Sequence, residues 1–476
     1  MNKALVRLGH LYFFILFIGS IVFFRERTLY MDCAYQCFNL INSEWFFVAS
    51  KRYSVVIPEL IPLLCVWVKA PLWLILMAFS LSYTLLYYII FLISSYTFRT
   101  SNIILAIMLV LSGFSVQSYF HIVTETHQGL MYAVLLFAWI GYYNQFSSAR
   151  LLLFYFITAL ILIMAFFAHP VTLFPILFII GFYFLAEWNR PDIKRTTVSK
   201  KYVPLLAVIL LVYLWRVIIT PANSYDGQFY WQLFASFSKP FFKFFPLLYV
   251  MYHIKFYLLQ PIIFMTLLRW YWLKNGKVLF FYVLVSTLLF SFILQLAFGN
   301  GDSDVMMEKN IMPLALFLGF PLCYYLTSYA THKQKKIAVL LVLLSVLNSF
   351  AYEISYSSVL NKRLTFYSRL CLLADKENHH KILIPDYCAP HKSINWALCP
   401  EMLLYSSLDK RNCATAAYVR DSNVGNLCDS NLLLFVPFWE NCNNGLLNPT
   451  YFNLPRQKYV NVQCDGRPGH FNLQQH

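Results

Sequence analysis

The stretch LWLILMAFSLSYTLLYYIIFLISSY occupies residues 72–96 and contains no charged side chain. A helix that crosses the hydrocarbon core of a bilayer needs about 20 mainly apolar residues, and this run meets that requirement. Comparable apolar runs recur on both sides of it, which predicts about eleven membrane-spanning helices. The predicted bounds are 5–24, 72–96, 102–120, 130–146, 151–168, 171–187, 202–219, 244–267, 278–298, 311–329 and 337–356.

The composition of the whole chain supports the same class. Of its 476 residues, 59% are hydrophobic and 12% are charged, and the mean hydropathy is +0.59. Soluble domains are about 45–50% apolar and about 25% charged, so a water-soluble or disordered chain is excluded. We therefore predict an all-α polytopic membrane protein. The net charge of +16 is expected to lie on cytoplasmic loops and to face anionic lipid, without nucleic-acid binding.

The distribution of basic residues predicts the orientation of the chain. Dense Lys/Arg clusters at 194–201 and 333–336 fall in loops that lie on the same side as the N-terminus. The positive-inside rule then puts the N-terminus in the cytoplasm, and an odd number of spans puts the C-terminus outside. No small-residue cleavage site follows the first apolar run, so we expect an uncleaved anchor. The predicted location is the bacterial inner membrane with a periplasmic tail, for which the endoplasmic reticulum is the topological equivalent.

The chain divides into a transmembrane domain at 1–358 and an outer C-terminal domain at 359–476. The tail is polar and rich in turn residues, with short strand-like runs around a helix-like segment, and this predicts a small α/β domain. An even number of cysteines in an outward domain suggests disulfides without fixing their pairing. These tail cysteines are Cys388, Cys399, Cys413, Cys428, Cys442 and Cys464.

The first outer loop holds the strongest candidate for catalysis, Asp32. It follows the first span in an apolar and aromatic segment, where partial desolvation suits a carboxylate to act as a base. Residues 33–48 carry an apolar and aromatic stripe, which predicts an amphipathic helix on the membrane surface. The alternative reading is a helix-capping Asp with no chemical role.

A second polar cluster lies at the outer end of the third predicted span. His121 and Glu125 would share one helix face if the helix continues, and His127 follows them. Ionisable groups between apolar spans are functional candidates that could orient a sugar or phosphate, or assist a base. A divalent cation is a further option, although this spacing alone supplies too few ligands. A short polar turn between spans is the structural alternative.

Three more outward residues are candidates. Glu308 and Lys309 stand at the entrance to the tenth predicted span, and Lys309 could neutralise a phosphate. His169, between the fifth and sixth predicted spans, is a weaker candidate for contact with substrate.

One span followed at once by an outer loop with an acidic residue and an interfacial helix resembles the GT-C superfamily of polytopic glycosyltransferases. Members of that superfamily use polyprenyl-phosphate-linked sugars. Asp32 matches the acidic residue of their first outer loop, and Glu125 resembles that of the next one. The segment from Glu308 to Leu314 resembles their late charged loop, with Lys309 in place of the usual Arg. The predicted outer C-terminal domain also resembles the soluble domain that many members carry on the same side of the membrane.

The resemblance implies inverting transfer of a sugar from a polyprenyl-phosphate donor to a glycan or lipid acceptor on the outer face. Asp32 would be the base, and Glu125 and His121 would assist catalysis. No cofactor is required by this scheme, and a divalent cation stays open. The remaining candidates would bind the substrate: Arg25, Arg27, Arg52, His127, His169, Glu308 and Lys309.

Other functions compete with glycosyl transfer. A surface-polysaccharide polymerase or ligase would share the topology and the lipid-linked substrate. A secondary transporter would favour internal repeats and ionisable groups near the bilayer midplane, which the sequence shows little of. A non-catalytic membrane scaffold is the third alternative.

Overall fold

The computed structural model of the chain describes 2–143, 151–190, 194–221, 227, 255–274, 276–298, 304–385, 388, 395–409, 413–420, 433–436, 440–443, 447–464 and 471–473. Helices dominate this part of the chain. They are α1 (Asn2–Val22), α2 (Phe24–Thr28), α3 (Met31–Ser43), α4 (Val56–Trp67), α5 (Leu72–Leu92), α6 (Ile103–Met108), α7 (Glu125–Tyr143), α8 (Leu151–Phe166), α9 (Leu173–Trp188), α10 (Arg195–Ile218), α11 (Leu259–Leu273), α12 (Lys277–Phe298), α13 (Asp304–Ile311), α14 (Leu314–Ser328), α15 (His332–Glu377) and α16 (Leu398–Leu408).

Within the described residues, seven helices are long and apolar enough to cross a membrane. Large apolar side chains stay exposed on them, such as Phe14 on α1 and Ile218 at the end of α10. Water would disfavour such surfaces, whereas lipid solvates them. The chain is therefore a multi-pass membrane protein, and the number of eleven spans stays a prediction. The seven are Lys3–Val22, Leu72–Thr97, Pro170–Trp188, Arg195–Ile218, Lys277–Leu294, Glu308–Ser328 and His332–Glu377.

The third predicted span, 102–120, differs from the observed structure. Its helix runs only through α6 and a π-helical turn at Leu109–Gly113, and no regular helix follows before Glu125. The N–H groups of Gln117 and Ser118 donate hydrogen bonds to the carboxylate of Glu308, at 2.8 Å and 3.0 Å. Because a side chain accepts these protons, the segment needs no helix there to satisfy its backbone. The eighth predicted span, 244–267, falls partly outside the described residues.

The predicted interfacial helix at 33–48 is observed as α3, which begins earlier and ends earlier. It ends at Ser43 because Glu44 adopts left-handed backbone angles, with φ 53°. Left-handed residues commonly terminate helices. Its apolar face is buried, including Cys33, Cys37 and Phe38, so this face packs against protein, where the sequence suggested contact with the membrane surface.

Helix α15 passes without a break through residue 358, where the two predicted domains meet. The predicted boundary between the two domains therefore lies inside one continuous helix. Leu360, Arg363, Tyr367 and Leu370 continue a buried stripe at helical spacing beyond that point. The helix ends at Glu377, because the next residue, Asn378, is left-handed with φ 52°.

Beyond α15, the described residues form the mixed α/β structure expected for the tail. Strands β1 (Lys381–Pro385), β2 (Ala416–Arg420), β5 (Val460–Cys464) and β6 (Phe471–Leu473) form a sheet in the order β2-β1-β5-β6. Strand β1 pairs in parallel with both β2 and β5, and β6 is antiparallel to β5. Strands β3 (Leu433–Val436) and β4 (Glu440–Asn443) form a separate antiparallel pair.

The tail cysteines do not all behave as expected. Cys388 is disulfide-bonded. Cys399 and Cys413 are thiols instead, which corrects the expectation of disulfides at these two positions. Cys399 lies in α16, where it is buried against the apolar core.

Candidate functional site

The first turn of α3 brings Asp32 against Lys309. Oδ2 of Asp32 lies 3.2 Å from Nζ of Lys309. The side chain of Lys309 is 13% exposed, whereas that of Asp32 is 40% exposed. The lysine therefore approaches from inside the protein, and the carboxylate forms the open side of the ion pair.

Lys309 is positioned by its neighbour Glu308, near the end of α13. The carboxylate of Glu308 is fully buried and accepts hydrogen bonds from the backbone of Val116, Gln117 and Ser118 and from the Tyr257 hydroxyl. These bonds fix α13 to the segment after α6. Glu308 therefore has structural contacts where the sequence suggested contact with substrate.

A second ion pair joins Arg52 to Glu125, the first residue of α7. Their charged atoms are 2.9 Å apart, with the side chains 11% and 15% exposed. A carboxylate at the first turn of a helix is also favoured by the helix dipole. The pair thus joins the loop before α4 to the start of α7.

The loop that carries Arg52 has a strained backbone and is held by contacts with the end of α10. Ser50 and Lys51 have positive φ values of 48° and 57°, which cost free energy for residues with a Cβ. The buried guanidinium of Arg216 donates a hydrogen bond to the Ser50 carbonyl at 3.1 Å. The ammonium group of Lys51 donates to the carbonyl of Ile219. Contacts with the end of α10 therefore hold Arg52 in place.

The two ion pairs lie close enough to influence each other. Arg52 lowers the pKa of Asp32, which shows that its charge acts across the pairs. Lys309 likewise lies in electrostatic range of Glu125. We call Asp32, Arg52, Glu125 and Lys309 the paired-charge site. It brings together residues from three separate regions of the chain.

The electrostatics of this site favour an ionised Asp32. Burial is the largest single influence and would raise the pKa of its carboxyl, but the charge and hydrogen bond of Lys309, with the electrostatic effects of His121 and Arg52, together hold the pKa below its ordinary value. In the arrangement observed, Asp32 is therefore a carboxylate held by a cation, which weakens it as a base.

His121 does not share a helix face with Glu125, so that expectation is wrong. It lies in the non-helical segment before α7, because Glu308 holds the backbone upstream. Its ring is 1% exposed and lies 4.8 Å from the ring of Tyr30. Burial lowers the pKa of His121 to about 3, so its imidazole is neutral. Within the described residues, neither ring nitrogen has a hydrogen-bond partner.

The two predicted arginine ligands of the first outer loop point to other partners. Arg27 is buried and donates hydrogen bonds to the hydroxyl of Ser80 at 3.0 Å and to the carbonyl of Tyr119 at 3.2 Å. Arg25 is exposed and lies 3.9 Å from Asp409 of the tail. Of this pair, Arg25 has the accessible charge.

The two remaining histidines lie outside the paired-charge site. His127 is buried within the first turn of α7. His169 caps the turn at Pro170–Thr172, where its Nδ1 accepts the N–H of Val171 at 3.2 Å. Their predicted contacts with substrate remain predictions.

The structure also brings in residues that sequence reasoning missed. Glu401 of α16 accepts a hydrogen bond from the N–H of Met31 at 2.7 Å, directly before Asp32. Its carboxylate also pairs with Arg363 of α15 at 2.6 Å. The spacing of Arg363 and Tyr367 on one helix face was visible in the sequence, but their partner Glu401 was not.

The chemistry of the paired-charge site has to be inferred from its own residues. No family model, curated protein or solved structure matches the chain. In the part of the chain that the structure describes, no group of three or more His, Cys, Asp or Glu is arranged to hold a metal ion. The site holds two cations and two carboxylates, and one of the carboxylates, Asp32, is open to solvent. An anionic ligand could therefore replace a carboxylate as the partner of a cation.

Proposed function

We propose that this protein is a membrane glycosyltransferase that takes a sugar from a polyprenyl-phosphate donor, with Asp32 as the catalytic base. The observation that carries the proposal is the ion pair between Asp32 and Lys309, in which the carboxylate is 40% exposed and the lysine is mostly buried. It combines a potential base with a cation suited to a phosphate. Both groups belong to a protein whose apolar helices suit it to a lipid-anchored substrate.

In this scheme the donor phosphate binds between Lys309 and Arg52. Both cations are paired with carboxylates in the observed arrangement. The donor phosphodiester carries one negative charge, as a carboxylate does, and its two non-bridging oxygens can each accept a hydrogen bond from one cation, so it can compete for both partners. Its charge grows as the bond to the sugar breaks, which strengthens both contacts. Binding would therefore weaken the contact between Lys309 and Asp32.

Release from Lys309 would prepare Asp32 for catalysis. With the cation shared by the phosphate, the pKa of Asp32 would rise, since the charge that lowers it is neutralised. The acceptor hydroxyl then gives its proton to Asp32, and its oxygen forms a bond to the anomeric carbon. The bond from that carbon to the phosphate oxygen breaks, and the phosphate leaves with the electron pair, inverting the configuration.

The rest of the site would support this reaction. Glu125 keeps Arg52 in position and can accept a hydrogen bond from an acceptor hydroxyl. The imidazole of His121 lies in electrostatic range of Asp32, and burial keeps it neutral near pH 7 because its pKa is lowered to about 3. For location, we propose a bacterial inner membrane with the N-terminus in the cytoplasm and the paired-charge site and tail in the periplasm, as the basic loops favour.

The experiment is transfer of a labelled sugar from a polyprenyl-phosphate donor pool by purified protein, with Asp32→Asn beside the wild type. We expect transfer by the wild type, and a loss of about 100-fold or more in the variant, the scale of a general base. Asp375→Asn is the matched control, because it makes the same chemical change at an exposed position on α15. Equal transfer by wild type and Asp32→Asn would contradict the proposal.

A surface-polysaccharide polymerase or ligase remains the second candidate, since the paired-charge site would bind its lipid-linked phosphate equally well. The same preparations separate the two. Donor that binds without transfer of a single sugar, followed by transfer once a lipid-linked oligosaccharide is supplied, would favour the second candidate.

A further inference from the structure

The start of α3 is held by a residue from the other end of the chain. Met31, the first residue of this helix, has φ 46°, a conformation that costs free energy for a residue with a Cβ. Its N–H bonds Oε1 of Glu401 at 2.7 Å, across 370 positions of sequence. The carboxylate also lies where the helix dipole favours negative charge. Glu401 thus holds the residue directly before Asp32.

The second oxygen of Glu401 is held equally firmly. Oε2 accepts hydrogen bonds from the guanidinium of Arg363 at 2.6 Å and from the hydroxyl of Tyr367. Glu401 is fully buried and Arg363 is 3% exposed. The guanidinium also lies over the ring of Tyr30 at 5.0 Å. The ion pair therefore has no access to a substrate, and its effect is on the position of its neighbours.

The far end of α3 is held by the same part of the chain. The N–H of Asn448 bonds Oδ1 of Asn42 at 2.9 Å. Its side-chain amide donates to the carbonyl of Ile41 at 3.2 Å and to Oε1 of Glu44 at 2.8 Å. The bond to Ile41 satisfies one of the carbonyl groups that a helix leaves open at its C-terminus, and the other two bonds hold side chains there. The tail therefore contacts both ends of the helix that carries Asp32.

We propose that the C-terminal tail is a clamp on α3, in which Glu401 and Asn448 fix the two ends of the helix and thereby the carboxylate of Asp32. Glu401 is the main positioning residue, because its partner Met31 directly precedes Asp32. The effect of the clamp on catalysis rests on the proposed function, whereas its effect on the position of Asp32 does not. The tail is then a working part of the active site and not an accessory domain.

A native thiol reports on the clamp without any assay of activity. Cys33 follows Asp32 in the first turn of α3, is fully buried, and accepts a hydrogen bond from the N–H of Val123 at 3.5 Å. Burial raises the pKa of its thiol to about 12, so it reacts slowly with maleimide while the turn stays closed. Cys323 of α14 is also buried and serves as a remote reference in the same protein.

The experiment measures maleimide labelling of the intact protein in detergent micelles, resolved by peptide mass spectrometry. In Glu401→Gln, an amide replaces the oxygen that binds Arg363 and Tyr367, so the start of α3 should open more often. We expect labelling of Cys33 to rise at least about tenfold, with Cys323 unchanged. Glu377→Gln is the matched control, since Glu377 forms an exposed ion pair with Lys376. A folded Glu401→Gln protein with unchanged Cys33 labelling would overturn the proposal.

Two further variants keep the test decisive if Glu401→Gln folds poorly. Tyr367→Phe removes one hydroxyl from Glu401 and leaves the ion pair, so a smaller rise at Cys33 is expected. Met31→Gly removes the cost of the positive φ and should reduce the labelling of Cys33 in the Glu401→Gln background. A role of Glu401 in overall stability alone predicts no such rescue, and its absence would overturn the positioning role.

Transfer assays then separate this inference from the proposed function. If the wild type transfers sugar, Glu401→Gln should lower kcat while leaving donor binding within about twofold, because the donor cations Lys309 and Arg52 are untouched. If the wild type transfers nothing, the proposed function fails, and the labelling of Cys33 still decides whether the clamp exists.

Discussion

Two ion-pair clusters flank the first turn of α3, and they differ in their access to solvent. On one side, Asp32 pairs with Lys309 at 3.2 Å and keeps 40% of its side chain exposed. On the other side, Glu401 pairs with Arg363 at 2.6 Å and is fully enclosed. The two clusters are separated by a single residue, Met31, which is bonded to Glu401.

The contrast shows how buried charge can serve two purposes. A carboxylate with every oxygen satisfied, such as Glu401, cannot exchange its partners without a large penalty, so it fixes geometry. A carboxylate that has one cation and an open side, such as Asp32, can exchange that cation for a substrate group. We therefore assign chemistry to the paired-charge site and positioning to Glu401. The following variants test that division.

The largest effect on stability is expected at Glu401. Replacing it with Ala leaves the guanidinium of Arg363 buried beside an empty space, and breaking a buried ion pair costs about 3–5 kcal/mol. A matched Glu377→Ala protein controls for the loss of one carboxylate. Thermal unfolding in detergent would measure the difference. A loss no larger in Glu401→Ala than in the control would remove the basis for the contrast.

A smaller effect, on binding, is expected at Lys309. Lys309→Met removes the cation that would hold the donor phosphate, and a charge-assisted hydrogen bond contributes about 1.5–3 kcal/mol. Affinity for a short-chain polyprenyl phosphate should fall about tenfold or more and should depend less on salt. Lys376→Met, on the exposed end of α15, is the matched control. Undiminished binding by Lys309→Met would place the phosphate elsewhere.

A moderate dependence on pH is expected from His121. Its pKa is about 3 in the folded protein against 6.5 for the unperturbed side chain, so the unfolded chain binds a proton first as the pH falls. Stability should therefore decrease between pH 6.5 and pH 3, by about 2 kcal/mol from pH 7 to pH 5. His121→Gln should flatten this dependence, whereas the exposed His379→Gln should preserve it. Thermal unfolding as a function of pH measures both, and an equal slope in all three proteins would refute this account of His121.

The smallest effect is expected at the exposed pair of Lys376 and Glu377. Surface ion pairs contribute about 0–1 kcal/mol, and both side chains are accessible to water. Glu377→Gln should therefore unfold within about 0.5 kcal/mol of the wild type. A larger loss would mean that exposure is a poor guide to the strength of ion pairs in this protein.

The sequence predicted the membrane class and several members of the site, for a physical reason. Long uncharged runs such as residues 72–96 have few other stable environments, and charges at their ends, such as Asp32 and Lys309, are conspicuous. That same reading missed the break after Gly113, because the acceptor that replaces the helix there is the distant Glu308. Local periodicity contains no information about such a partner.

The sequence could not predict which charged residues of the site pair with each other. Arg52 and Glu125 were both candidates, but their mutual ion pair depends on how α7 packs against the loop before α4. Glu401 was not among the candidates, since its contact with Met31 spans 370 positions. Contacts of this kind follow from tertiary packing and not from any local pattern.

The most direct test of the central claim is the rate of sugar transfer at saturating polyprenyl-phosphate donor, compared between wild type and Asp32→Asn at equal amounts of folded protein. We expect transfer by the wild type and a rate at least about 100-fold lower in the variant, with donor still bound through Lys309 and Arg52. Equal rates in the two proteins would contradict the assignment of Asp32 as the base.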